Sequence, residues 1–269
     1  MRSGGAVLAA PLVVFLLLFF AYPVVSMLLR SVQPGVWPEL LAGVVFWRVM
    51  QITLEIGLIV TCCCLLLAYP LAYWLARLPE AAANLLLIFV LIPFWTSILV
   101  RSYAWMALLE RHGVLNNLLL ALRVIDAPVK LLNTRFSVCL AMVHVLLPFM
   151  VLPIYANLRS LDWRLVRAAS SLGATPWGAL RQVVLPLSRP GLGAGVTLVF
   201  TLSIGFYITP VLVGAPSDVM MSMLINDEVG RLDWPLASAM SVVLLLVVLV
   251  VTGLLARLTG ARRALAPGL

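Results

Sequence analysis

Apolar residues in this chain come in long unbroken blocks with neither helical nor strand-like alternation, and the blocks are separated by short polar or Gly/Pro-containing stretches. A hydrocarbon layer of about 30 Å takes about 20 helical residues to cross, and six blocks reach that length. They run from about Ala6 to Leu29, Ile52 to Leu75, Ala82 to Val100, Phe136 to Tyr155, Leu192 to Val213 and Leu236 to Ala256. Each is expected to be one span, the first broken by Pro11 and Pro23. The first follows Arg2, but its apolar stretch exceeds the 7–15 residues usual in a signal peptide, so it reads as an uncleaved span. The expected fold is an all-α membrane protein, a single transmembrane domain over residues 1–269.

Composition points the same way. Of 269 residues, 64% are hydrophobic and 10% charged, whereas a soluble domain is nearer half apolar and a quarter charged. The net charge of +8 comes with one lysine, Lys130, and no dense basic run, so it suits lipid headgroups and topology better than nucleic acid. With both termini in the cytoplasm, ten Lys/Arg fall inside and eight outside. That bias favours this orientation. Cys62, Cys63 and Cys64 are consecutive and Cys139 lies in another block. Neighbouring helical positions point in different directions, so no metal-ligand spacing results and no metal site is expected.

Two connections are longer than a turn. The outer one, about Arg101–Arg135, carries a polar turn at His112, Gly113, Asn116 and Asn117. The inner one, about 156–190, falls between the fourth and fifth spans. In it Asp162 is placed to cap a helix starting at Trp163. Leu161, Leu165, Ala168 and Leu172 share one face, with Arg164, Arg167 and Ser171 on another. Gly173 is expected to end this helix in the left-handed conformation. Thr175 then caps a second helix, with Pro176 at its first position, running toward Leu185 and stopping at Pro186. Such a bent pair is either a knob for a partner's groove or an interfacial amphipathic connector.

Arg167-Ala168-Ala169-x3-Gly173-Ala174, followed by Leu185-Pro186-x3-Pro190-Gly191, resembles the EAA loop of permeases in binding-protein-dependent ABC importers. Ile92-Pro93-Phe94-Trp95-Thr96, Arg101-Ser102-Tyr103-Ala104-Trp105, Leu146-Leu147-Pro148-Phe149-Met150 and Tyr207-Ile208-Thr209-Pro210 are similar to segments of the spermidine/putrescine branch. The resemblance implies a bacterial inner-membrane subunit with no cofactor of its own. Its expected partners are a cytoplasmic ATPase dimer that holds ATP and Mg, a second and different permease chain, and a periplasmic binding protein. It assigns ATPase coupling to Arg164, Arg167, Ala168, Ala169, Leu172, Gly173, Ala174, Pro186, Pro190 and Gly191. Here the family's leading Glu is Arg167, so an ion pair made by that Glu does not carry over.

An ionisable group within a span marks a site by default. Glu55 is expected to pair with Arg48, seven residues earlier, and either snorkels to water or lines a path for an ammonium group. Trp95, Phe206 and Tyr207 are either interfacial anchors or cation–π contacts for such a group. Asp227, with Asp218, Glu228 and Asp233, belongs to an outer loop expected to be solvated, or else receives a cation or binds the receptor. His144 is expected to hydrogen-bond between helices. Gly191 and Gly195 suit either close helix packing or a tight turn after Pro190. No phosphate loop, H-E-x-x-H or G-x-S-x-G occurs in the sequence, so neither nucleotide binding nor hydrolysis is expected of this chain. The competing reading is a secondary transporter driven by an ion gradient.

Overall fold

The computed structural model describes residues 11–258, so the expected start of the first span at Ala6, and Arg2, lie outside the described residues. Among the described residues, four helices are individually long and apolar enough to cross a bilayer: Pro11–Ser31 (α1), Val44–Arg77 (α3), Arg135–Arg159 (α7) and Trp234–Leu258 (α13). Two bent pairs bring the number up to six if each pair is one crossing. One is Glu80–Trp95 (α4) with Ile98–Leu109 (α5) and Val114–Ala121 (α6) beyond it; the bend is 93°. The other is Pro176–Leu187 (α9) with Arg189–Ile204 (α10), bent by 66°. Shorter helices are Val36–Ala42 (α2), Trp163–Ser171 (α8), Ile208–Val213 (α11) and Met221–Gly230 (α12).

The centre is the pair α3 and α7. On α3, Ile56, Val60, Cys64, Ala68, Ala72 and Leu75 are buried, about one per helical turn. On α7, Val138, Met142, Leu146, Met150, Ile154 and Leu158 are buried at the same spacing. Small residues Cys64, Ala68 and Ala72 let the larger α7 side chains sit between turns of α3. The three adjacent thiols diverge as consecutive helical positions must, with Cys64 buried and Cys62 exposed. The third partner, α10, presents Gly191 and Gly195 to α7. A β-carbon at Gly191 would stand 2.6 Å from Asn157 Cβ and 2.8 Å from the Pro153 carbonyl, and one at Gly195 2.9 Å from Met150 Sδ. Of the two readings of this G-x-x-x-G, close packing holds. By contrast, every side chain from Phe15 to Phe20 in α1 is at least 50% exposed, an arrangement suited to an apolar surrounding.

Two expected spans are not continuous. The block Ala82–Val100 breaks at Thr96–Ser97, just past Pro93, and α5 leaves at a steep angle through what was expected to be an outer loop. The block Leu192–Val213 begins earlier, at Arg189, and stops at Ile204. Pro210 disfavours a continuous helix here. It donates no hydrogen bond, and its ring would strike the carbonyl four residues back, at Phe206. That carbonyl instead accepts from Ser222 Oγ at 2.6 Å. The second connector helix also departs from expectation: α9 passes through Pro186 to Leu187, preceded by a π-helical turn at Leu180–Val184.

Charges cluster in two layers. Glu55 to Arg77 is 22 residues along α3, about 33 Å at 1.5 Å each, and Arg135 to Arg159 on α7 is about 36 Å. Both lengths match a hydrocarbon core plus its first polar shell. The helix from Glu55 to Arg77 contains no other charged residue.

Packing this tight gives a direct expectation. Gly191→Val overfills the α7–α10 contact, and Gly253→Ala, with nothing within 4 Å of its β-carbon, does not. The first loses stability by about 1–3 kcal/mol or more; the second stays near wild type. Thermal melting of the two variants in detergent checks the contrast.

Candidate functional site

The connector between α7 and α10 is built as its residues dictate. Asp162 accepts from the Arg164 backbone N–H at 2.9 Å and so caps α8. Gly173 ends it at φ +90°, and the Ala174 N–H returns to the Ala169 carbonyl at 3.0 Å. Thr175 caps α9 through the Gly178 N–H at 3.1 Å. On α8, Trp163 and Val166 turn toward the protein, while Leu165, Ala168 and Leu172 turn outward; Leu172 is 89% exposed. Arg164 is exposed on the flank. Arg167 is one turn from Trp163 and lines a cleft with it, on the inward side. Ala169 is half-buried beside Val166, Pro186 lies in the last turn of α9, and Pro190 starts α10.

Sequence reading missed how this connector is held. Tyr69, Tyr73 and Arg77 stand at i, i+4 and i+8 on α3 and form one stripe. The Tyr69 hydroxyl lies 3.2 Å from Ser188 Oγ, at the α9–α10 junction. Tyr73 meets Trp163 of α8 with ring centroids 6.1 Å apart. The Arg77 guanidinium covers both rings, at 4.3 Å and 5.4 Å from their centroids. Both ends of the connector therefore rest on α3. The Tyr-x3-Tyr-x3-Arg spacing was the available signal.

At the opposite layer, Glu55 does not pair with Arg48. Gln51 stands between them, donating to Glu55 Oε1 at 2.9 Å and accepting from Arg48 at 3.5 Å. The cation on Glu55 is Arg135, from α7, with Nη1 at 2.8 Å from Oε2. The same guanidinium donates through Nε to Asp218 Oδ1 at 3.2 Å. Asp218 is buried, not solvated, and so is Glu228, which Arg231 meets at 3.2 Å. One guanidinium thus serves two carboxylates and fastens α3, α7 and the segment after α11.

The remaining path candidates fall into separate groups. Phe206 and Tyr207 occupy the break between α10 and α11, and the Tyr207 hydroxyl accepts from Asn226 Nδ2 at 3.0 Å. Asp227, next to Asn226, is exposed. Trp95, 85% exposed, caps the other break. Among the described residues no hydrogen bond, ion pair or ring contact joins Trp95 to Glu55, Phe206 or Tyr207. His144 does bond between helices, accepting from Trp105 Nε1 at 3.2 Å. The Ser102 and Thr209 hydroxyls, 3.0 Å apart, tie α5 to α11. Non-helical backbone at membrane depth persists where it is buried in protein or lines a wet cavity. At the second break Ser222 Oγ serves the Phe206 carbonyl, while Thr96 and Ser97 at the first are exposed, with Thr96 Oγ1 donating to the Pro93 carbonyl at 2.9 Å.

A helical membrane core with two interrupted crossings and a paired-helix connector resting on one span is an architecture suited to a transport subunit. Residues 68–264 match the family described as "Binding-protein-dependent transport system inner membrane component", and the chain belongs to it. It is 37% identical over 203 residues to the spermidine/putrescine transport system permease protein PotB of Salmonella typhimurium, covering 75% of this chain and 71% of that protein. The PotB of Escherichia coli is 36% identical over 203 residues, 75% and 74% of the two chains. PotC of Escherichia coli is 35% identical over 114 residues, 41% and 43%. In fold, it is similar to a chain of a bacterial ABC transporter that imports the acidic polysaccharide alginate, with TM-score 0.77 at 19% identity over 96% and 94% of the chains. A second crystal structure of an alginate transporter, in complex with an alginate pentasaccharide-bound periplasmic protein, gives 0.77 at 18% over 98% and 96%. Multi-pass insertion in the inner membrane and hydrolysis of ATP by a separate chain follow from the family.

The triad yields an ordered prediction. Arg135→Gln strands the buried Asp218 carboxylate, at a cost of several kcal/mol. Glu55→Gln removes a partner that is 40% exposed and costs about 1 kcal/mol or less. Melting temperatures should fall furthest for Arg135→Gln, least for Glu55→Gln.

Proposed function

We propose that this chain forms half of the translocation path of an ATP-driven importer for a polyamine or a related small cation. The observation that carries the coupling part is the outward strip Leu165, Ala168 and Leu172, left uncovered beside the Gly173 bend. It is an apolar knob on a rigid stand, suited to a cleft in a cytoplasmic ATPase. Ala169, Ala174 and the flanking Arg164 complete that dock, while Pro186, Pro190 and Gly191 set the angle at which α9 delivers motion to α10. The ATPase dimer supplies the ATP and Mg sites. Six crossings with both termini and the connector in the cytoplasm complete the topology, and the whole chain acts as one transmembrane domain.

The solute class rests on two supports. The relatives named above are spermidine/putrescine permeases, and the layer opposite the connector is rich in carboxylates, Glu55, Asp218 and Asp227 among them. A periplasmic binding protein delivers the solute there. Glu55, with Phe206 and Tyr207 at the break and Trp95 at the other, offers carboxylate and aromatic contacts for ammonium groups, each ring worth about 0.5–2 kcal/mol. The second permease is a different, PotC-like chain. Family membership leaves no support for the ion-gradient alternative.

Uptake of labelled spermidine into proteoliposomes tests this reading, using the chain with its ATPase, partner permease and binding protein. Uptake should need ATP and all four components; uptake by this chain alone under a sodium or proton gradient would overturn it. Gly173→Val should cut coupled uptake by tenfold or more without loss of insertion. No neighbour lies within 4 Å of its β-carbon, so the only strain is the positive φ. Impermeant labelling of Ser171→Cys should succeed from the cytoplasmic side alone.

A further inference from the structure

Where α8 crosses the ends of α3 and α7, a cleft of about 510 Å³ is lined by Ala76, Arg77, Arg159, Trp163, Val166 and Arg167. Three of its six lining residues are arginines, and no carboxylate joins them. The three ion pairs among the described residues all lie elsewhere. Two of the three guanidinium groups are aimed by something other than an acid. Arg77 lies over Tyr73 and Trp163. Arg159 Nη1 donates to the Ala76 and Leu78 carbonyls at 3.3 and 2.9 Å, closing the end of α3. Arg167 comes in from α8. Three like charges around one cavity repel, and helix-end carbonyls offset only part of that. A single anion in the cavity turns the repulsion into charge-assisted hydrogen bonds.

We infer that this cleft holds the phosphodiester of an anionic phospholipid. Three features select the lipid over a carboxylate of the ATPase. The arginines ending α3 and α7 are about 33–36 Å along their helices from the opposite charge layer, the depth at which lipid phosphates lie. Arg167 and Trp163 occupy the inward side of α8, opposite Leu165, Ala168 and Leu172, so a protein seated on the outward strip does not face the cleft. On the same helix as Arg77, Trp74 and Leu67, seven residues apart and so on one face, are more than half exposed and offer an acyl chain an apolar bed. The bound lipid bridges Arg77 and Arg159 on the spans to Arg167 on the connector. This goes beyond the transport reading and needs only that α3 and α7 cross the bilayer. It also gives a physical use to an arginine where the family has a glutamate.

The test is native mass spectrometry of the assembled transporter, released from nanodiscs of phosphatidylcholine with 20 mol% phosphatidylglycerol. Wild type should retain phosphatidylglycerol in preference to phosphatidylcholine. An Arg77→Gln/Arg167→Gln double variant should lose that retention by roughly tenfold. Arg77→Lys/Arg167→Lys should keep most of it, and Arg181→Gln, in a different cleft, all of it. Unchanged retention in the Gln pair overturns the proposal. So does full displacement of the lipid by millimolar inorganic phosphate, which would assign the cleft to a soluble anion. Loss of the ATPase from the Gln pair with lipid retained would assign it to a protein carboxylate. Because the readout is lipid mass, it stands or falls separately from spermidine uptake.

Discussion

Hydrocarbon offers no hydrogen bonds, and the architecture follows from how the chain answers that constraint. Most of its backbone solves it by staying helical. Where it cannot, at Thr96–Ser97 and at Gly205–Tyr207, side chains take over. Ser222 serves the Phe206 carbonyl, and the Ser102–Thr209 pair links the helices that follow each break. The two breaks are therefore secured at their ends and irregular at their centres. A transporter needs that combination, since a polar solute requires polar lining while the surrounding helices must stay intact.

The same constraint shapes the distribution of charge. Between Glu55 and Arg77, α3 has no charged residue, and contact with α7 relies on small residues fitting between large ones. Packing of this kind has no directional preference of its own. Orientation comes from the ends: the Arg135 triad at one layer, and the Tyr69–Tyr73–Arg77 stripe with Arg159 at the other. The hinge-bearing connector is attached to the second of these, so displacement of α8 acts first on the end of α3 and only then on the core.

Much of this was legible in the sequence. The apolar blocks, the caps at Asp162 and Thr175, the left-handed Gly173 and the His144 bond all followed from local rules, while Gly191 and Gly195 left packing and turning open. The errors share one physical cause, which is partnership across long stretches of chain. Arg48 is near Glu55 in sequence, but Arg135, 80 residues away, reaches it in space. Asp218 looks like a loop acid until the guanidinium that buries it is known. Continuous apolarity concealed the breaks as well: hydropathy reports the solvent a segment prefers and not the course of its backbone, and proline alone does not mark them, since Pro70, Pro148 and Pro153 lie inside the unbroken α3 and α7.

The two charged layers, set along stiff helices at nearly the same separation, also act as a depth gauge. Sliding α3 or α7 along the membrane normal would drag guanidinium or carboxylate groups into oil at one end, so vertical piston motion is costly. Tilting is cheap by comparison, since long side chains at either rim absorb small changes of angle. Motion in this subunit should therefore be rocking about a fixed depth, and a bilayer much thinner or thicker than the gauge would bias the rest angle before any ligand arrives.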